Sequence, residues 1–594
     1  MKPNKTQPNP SKRKYCSDAL VDLMKALGIE YVSLNPGASF RGLHDSIVNY
    51  GGNQNPELIL CCHEEIAVDI ASGYAKATGK PMAAIVHDIV GLLHASQAIF
   101  DASVDRVPVL VLGSTGPMAI ERRRPWIDWI HTALVQGNVV RDYVKWDDQP
   151  TTLPSAIDSF LRGYQLATTN PKGPVYLCFD AGMLEDEVVM PVAIPDVSRY
   201  RSPAPIQGDP TALRKVAELL VEAERPVVIA DYLGKEPPAV DALVELAELL
   251  SLPVVDNGNM FSFPNTHPLD LTGAEIELLS QADLVLSLNV FDLFKALSTV
   301  DASTRRTENI ITPEATKIVD ISLRHLSIRS WCHEYGKLQP TDLSISADTF
   351  LALSSLISLC RELLTQKPEK RAIYQERFTW LKAKHDELRR NWKDHTERVR
   401  NEKPISVPRL TTELWEVIKD EDWVLTNQGL TSWPRKLWDW SKPYQYIGSR
   451  MGGGLGFGIG ISIGAALANR PLNRLCIDIQ PDGDLLFTPS GLWTAAHHRI
   501  PLLVVMFNNR SYYNSERHQE MTAKTRERPV ANKCVGTRID DPPVDFASLA
   551  RSFGLYGEGP IEAPNDLRPA LERAVRYVKD RKQAALVDVH TQPR

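Results

Sequence analysis

Two oxygen-bearing side chains, Asp482 and Asn509, flank a segment that reads as strand, helix, strand. Cys476 to Ile479 is a continuous apolar run ending at Gln480, and Pro481, Asp482, Gly483 and Asp484 carry turn chemistry. Thr488 and Pro489 supply an N-cap and a first helical position, which predicts a helix running to about His498. Pro501 to Phe507 is a second apolar run, stopping at Asn508 and Asn509. A crossover of this kind makes its two strands parallel, so Asp482 and Asn509 emerge at one carboxyl edge. Adjacent strands lie about 4.8 Å apart, close enough for a carboxylate and an amide oxygen to share a hard cation. Two side-chain oxygens suit Mg²⁺, whose octahedral shell is completed by phosphate and water oxygens. The partner this chemistry implies is a diphosphate.

Upstream, Gly452, Gly453, Gly454, Gly456, Gly458 and Gly460 precede an Ala-rich stretch ending near Asn469. Glycines let backbone N–H groups approach a phosphate, and a helix N-terminus favours an anion. The run does not fit G-x-G-x-x-G, so it is not a dinucleotide fingerprint.

These residues need a scaffold, and the chain supplies three αβ blocks. From Tyr15 to Asp180, apolar runs at Tyr31 to Leu34, Leu58 to Cys62, Met82 to Val86, Val109 to Leu112 and Val175 to Phe179 alternate with helical patterns. Five prolines between Pro191 and Pro210 mark a linker. A second block carries runs at Pro226 to Ala230, Leu284 to Leu288 and Lys317 to Ile321, and a third at Trp423 to Leu425, Arg474 to Ile479, Leu502 to Phe507 and Ala585 to Val589. The expected domains are 15–190, 205–360 and 404–594, joined by a charged helical linker over 361–403 and preceded by a disordered tail over 1–14. The predicted fold class is α/β, with three consecutive doubly wound domains on mostly parallel sheets.

Composition narrows the function. The 594 residues are 43% apolar and 24% charged, a globular balance with material for several cores. Lys and Arg number 67 against 73 Asp and Glu, and no basic stripe follows the first fifteen residues, so nucleic acid is not an expected partner. No apolar run in the C-terminal third reaches the roughly 20 residues that cross a bilayer, and the basic, proline-containing N-terminus lacks a signal-peptide apolar region. Eight cysteines without a C-x-x-C pair fit a reducing compartment. A soluble, cytoplasmic protein is expected.

The PDGD turn, the SGLWTAA stretch and the terminal NN pair together resemble the GDG…NN signature of thiamine diphosphate (ThDP)-dependent enzymes of the acetolactate synthase, pyruvate decarboxylase and benzoylformate decarboxylase group. His63-Glu64-Glu65 followed by Gly73-Tyr74-Ala75 and Thr78-Gly79 is similar to the group's pyrimidine-domain segment. The resemblance implies that Glu64 is the catalytic carboxylate that promotes the imino tautomer of the cofactor, and that Asp482, Asn509 and the Ser511 carbonyl hold Mg²⁺. It also implies cofactor contacts at Gly453, Gly454, Gly483, Asp484 and Ser511, with Leu455 as an apolar wedge. Pro481 departs from the family's first glycine and removes an N–H. His87 matches a substrate-facing histidine. Asn35-Pro36-Gly37-Ala38 is similar to the group's NPG loop, but Ala38 replaces a serine for which Ser39 could stand in, and the second histidine aligns with Phe294.

The implied activity is ThDP- and Mg²⁺-dependent making or breaking of a C–C bond beside a carbonyl, by a 2-oxo acid decarboxylase or carboligase acting on 2-oxo acids or aldehydes. The alternatives are a 2-hydroxyacyl-CoA lyase and an inactive ThDP-binding regulatory subunit. FAD is disfavoured, because β-strand Pro226 to Ala230 leads into the bulky Asp231-Tyr232-Leu233-Gly234. By resemblance the chain forms a homodimer or homotetramer. Cys61, Cys62 and His63 read as a strand end, His497 and His498 as a helix terminus, and Trp126 and Trp129 beside Arg122 to Arg124 as an anion site or an interface. His94 is a weaker candidate on the His87 loop, and Tyr512, Tyr513 and His518 read as a lid or as packing.

Overall fold

The computed structural model describes residues 14–125, 128–189, 192–301, 306–327, 334–429, 431–449 and 452–593. Three parallel sheets follow one another along the chain, each flanked by helices. The first contains β1 (Tyr31–Leu34), β2 (Glu57–Leu60), β3 (Met82–Ile85), β4 (Val109–Thr115), β5 (Asp147–Asp148) and β6 (Val175–Asp180), in the order β2-β1-β3-β4-β6-β5. The central block holds β7 (Pro226–Ala230), β8 (Val254–Asp256) and β9 (Leu284–Leu288), an antiparallel pair β10 (Ser298–Val300) and β11 (Thr307–Asn309), then β12 (Lys317–Ile321) and β13 (Leu343–Ile345). Its sheet order is β13-β12-β9-β7-β8. The third holds β14 (Trp423–Gln428), β15 (Leu475–Pro481), β16 (Leu502–Asn508), β17 (Tyr556–Ile561) and β18 (Ala585–His590), in the order β14-β15-β16-β18-β17.

Strands buried on both faces read as near-continuous apolar runs, and β7 and β9 begin and end where those runs do. The first and third blocks share one apolar cluster, in which Ile66, Ala67 and Ile70 meet Ile459, Ile461 and Ile463. Its centre is the packing of helix Glu64–Thr78 against helix Phe457–Asn469. A Cβ on Gly73 would lie 2.0 Å from the Ile461 carbonyl oxygen, and one on Gly464 2.0 Å from that of Ile70. Only glycine permits this backbone contact. Gly456 abuts Glu65 and Gly460 abuts Asp69, so the helices run parallel and their N-termini lie side by side.

Several expectations are corrected. Thr488 is not an N-cap: its hydroxyl donates to the Gly456 carbonyl, and the helix begins only at Gly491. Pro481 to Asp484 is not a free turn, because β15 continues through Pro481 and Asp482–Leu485 forms one helical turn. The charged segment contains a 29-residue helix over Lys370–Arg398, while 361–365 complete the preceding helix Thr349–Thr365; Pro368 lies between the two. Of the tail, 1–13 lie outside the described residues, and Lys14 is ordered by an ion pair with Asp22 at 2.7 Å. Among the described residues, no helix is long and apolar enough to cross a membrane.

Candidate active site

β15 and β16 are parallel neighbours with Pro481 opposite Phe507, so Asp482 and Asn509 leave adjacent strands at the same edge. Their oxygens converge. Asp482 Oδ2 accepts the Ser511 N–H at 3.3 Å and Asn509 Oδ1 accepts it at 2.9 Å, while Asp482 Oδ1 accepts from Gly483 N at 2.8 Å. Burial pushes the Asp482 carboxyl up to about 6, against the opposing pull of the backbone N–H groups. The Ser511 hydroxyl donates to Glu516 at 2.8 Å. Tyr512 closes over Gly483, where a Cβ would meet its ring at 2.4 Å.

The glycine loop adjoins this edge. Asp484 accepts the N–H groups of Gly456 and Gly458, both at 3.1 Å, and the Gln480 amide at 2.7 Å. Its carboxylate thus serves the first turn of helix Phe457–Asn469, which positions the loop. Gly453 is exposed with φ +71°, and Leu455 is half-buried. Gln97 and Asp101 press on the loop from the first block, since a Cβ on Gly454 would collide with Gln97 and one on Gly452 with Asp101. Two convergent hard oxygen donors beside a glycine loop at a helix N-terminus fit a diphosphate bridged by a divalent cation.

Parallel packing brings Glu64 to the same region. Glu64 opens helix Glu64–Thr78 with 4% of its surface exposed, and Oε2 lies 3.2 Å from His94 Nδ1. Its neighbour Glu65 touches the glycine loop, and burial, then Asp101 and Asp484, raise that carboxyl to about 7. His63 Nδ1 accepts the Glu65 N–H at 3.2 Å and stacks on His94. His63, Glu64 and His94 place one ligand atom each within 4.8 Å of one another, a geometry that could also hold a metal ion.

His87 and Glu64 share a wall: a Cβ on Gly91 would sit 3.0 Å from Glu64 Oε1 and 3.0 Å from His87 Cβ. His87 Nδ1 lies 2.9 Å from the Ser39 hydroxyl, and Nε2 lies 3.3 Å from His131 Nδ1. Sequence reasoning passed over His131 because nothing in its surroundings along the chain marks it. Phe294 lies buried in the central block against Tyr335 and Lys337.

Other candidates have structural partners. Arg123 lies over Trp129, while Arg122 pairs with Asp186 and Arg124 with Asp128 and Glu185; Trp126 is outside the described residues. His498 Nε2 accepts the Leu60 N–H at 2.8 Å, tying the third block to the first, and His497 stacks on Trp493.

Comparison with known proteins identifies the family. Three family models match in order: thiamine pyrophosphate enzyme, N-terminal TPP binding domain over residues 15–136; central domain over 213–356; and C-terminal TPP binding domain over 429–589. The chain belongs to the thiamine pyrophosphate enzyme family. It is 24% identical to a probable acetolactate synthase large subunit of Methanocaldococcus jannaschii, over 94% of this chain and 89% of that protein. Identity is also 24% to the acetolactate synthase large subunit of Haemophilus influenzae, over 94% and 91%. The fold is similar to that of benzoylformate decarboxylase from Polynucleobacter necessarius, with a TM-score of 0.74 at 18% identity, covering 98% of each chain.

Proposed function

We propose that this chain is a ThDP- and Mg²⁺-dependent 2-oxo acid decarboxylase or carboligase, acting on small 2-oxo acids or aldehydes in a homo-oligomer. The carrying observation is the meeting of Asp482 Oδ2 and Asn509 Oδ1 on one N–H beside the glycine loop. When bound, ThDP supplies the electron sink for a carbanion next to a carbonyl. Asp482, Asn509 and the Ser511 carbonyl would hold the cation. Gly453, Gly454 and Gly483 would give the diphosphate close backbone approach, with Leu455 as the apolar support and Asp484 fixing the loop from behind. Glu64 would hold a proton at the pyrimidine edge. His87, kept below its ordinary pKa chiefly by burial, would be the neutral imidazole facing substrate.

Two further features support this assignment. Ser39, beside Ala38, places its hydroxyl 2.9 Å from His87 Nδ1, which supports a working site over a decayed regulatory one. FAD is not part of the proposal, because β7 leads into the bulky, buried Asp231 and Tyr232; Arg106 lies on Tyr232 and Phe291, bonds Asn289 at 3.0 Å and lines a cavity at this edge. The domain limits 15–190, 205–360 and 404–594 belong to the same reading. Purified protein with ThDP, Mg²⁺ and a panel of 2-oxo acids tests it: CO₂ or a ligated product supports the assignment, and neither from any acid contradicts it.

A further inference from the structure

We infer that His131 is the outer member of a histidine pair that moves protons between solvent and Ser39 through His87. The inference rests on the reading above, that substrate reacts in the cleft of Glu64 and His87. His131 is a positioning residue, acting through His87.

The pair is built into the fold. His131 follows β4, and its carbonyl accepts the Ile89 N–H at 3.0 Å, from the first turn of helix Asp88–Val104. The next residue, Thr132, accepts the Gly116 N–H at 2.7 Å and donates to the Asp128 carbonyl at 2.9 Å. A Cβ on Gly116 would stand 2.5 Å from that same carbonyl oxygen, so the segment is seated on bare backbone. On the inner side, a Cβ on Gly37 would lie 2.7 Å from the His87 ring. Both ring nitrogens of His87 are therefore directed, one to Ser39 and one to His131. The rings meet edge to face at 70°.

A serine hydroxyl has one proton to donate and two lone pairs, so Ser39 can accept from His87 Nδ1–H at 2.9 Å and from the Asp88 N–H at 3.4 Å while keeping its own proton for the substrate. The relay then balances. A water proton binds half-buried His131 at Nε2, and His131 releases its Nδ1 proton to His87 Nε2. His87 releases its Nδ1 proton to Ser39 Oγ, and Ser39 gives its own hydroxyl proton to the reacting carbon or oxygen. One proton enters and one leaves, with no change in net charge.

The relay needs His87 neutral at rest. Burial, then the neighbouring His131, hold it below its ordinary value, while Glu64 and Asp128 pull the other way. Asp88, beneath Ser39, has its carboxyl raised to about 7 by burial and by Asp128, against the opposing effect of Ser39.

The test compares wild type with His131→Gln, using histidine ¹³Cε1 NMR with and without ThDP and Mg²⁺, and kcat for pyruvate and benzoylformate. In H131Q the His87 midpoint rises by about half a unit or more as its cationic neighbour is removed. On whichever acid wild type turns over, kcat of H131Q falls roughly tenfold or more with KM little changed, its pH profile shifts, and free imidazole restores turnover of His131→Gly. An unchanged His87 midpoint in H131Q overturns the inference. So does an unchanged pH profile in an active H131Q. A wild type inactive on every 2-oxo acid contradicts the proposed function instead, and the NMR comparison still decides the pair.

Discussion

Asp482 Oδ2 and Asn509 Oδ1 accept the same backbone N–H, that of Ser511, at 3.3 and 2.9 Å. Twenty-odd residues of crossover separate them in the chain, yet the parallel register of β15 and β16 delivers both to one point. Two acceptors aimed at one donor leave most of their lone pairs for a cation. Asp482→Ala or Asn509→Ala is expected to weaken Mg²⁺-dependent ThDP binding at least a hundredfold, about 2.8 kcal/mol. Isothermal titration at fixed Mg²⁺ measures this, and chelation of Mg²⁺ should reproduce it in wild type.

In the proposed function Glu64 acts on the bound cofactor without holding the diphosphate. Glu64→Gln is expected to keep ThDP affinity within a few-fold and to lower kcat by roughly 10² or more. Fluorescence titration and steady-state rates separate the two effects. Unaltered turnover would remove Glu64 from the chemistry.

The helix pair that aligns the two halves of the site depends on bare backbone at Gly73 and Gly464. Gly464→Ala forces a Cβ into the Ile70 carbonyl and should destabilise the protein by roughly 1–3 kcal/mol or more. Because the same contact sets the glycine loop against Glu65, ThDP affinity should fall as well, although Gly464 lies two turns from the loop. Chemical denaturation and cofactor titration on the same variant check both effects.

His498 gives the fold a pH dependence of known sign. Burial, then His497, hold its pKa at about 4, below the unfolded 6.5, and Nε2 accepts the Leu60 N–H. Between those values the unfolded chain binds the extra proton, so stability is full above about pH 6.5 and declines toward pH 4. The ceiling is about 3 kcal/mol at 1.36 kcal/mol per unit. Urea midpoints of wild type should fall across this range more steeply than those of His498→Gln. Parallel curves would show that the contact carries no such linkage.

Much of the scaffold was legible because buried parallel strands are apolar runs with sharp ends, and β7 and β9 are two such runs. The edge that carries Asp482 and Asn509 followed from one crossover rule. Local chemistry misled where a distant partner took over. Thr488-Pro489 has the composition of a cap, but the Thr488 hydroxyl serves Gly456, 32 residues away. Asp484, expected at the cofactor, accepts the Gly456 and Gly458 N–H groups behind the loop, a contact no local pattern announces. His131 and Glu65 stayed silent in the sequence because their partners, His87 and the glycine loop, come near only through tertiary packing.

Among the described residues, two places could take a divalent ion: the Asp482–Asn509 edge, and the His63, Glu64 and His94 trio. Mn²⁺ replaces Mg²⁺ and scatters anomalously, so crystals grown with ThDP and Mn²⁺ can tell them apart. An anomalous peak within about 2.3 Å of Asp482 and Asn509 side-chain oxygens, with diphosphate density against Gly453 and Gly454, is the predicted result. A peak at His63 and His94 with none at Asp482, or ThDP bound away from the glycine loop, would contradict it.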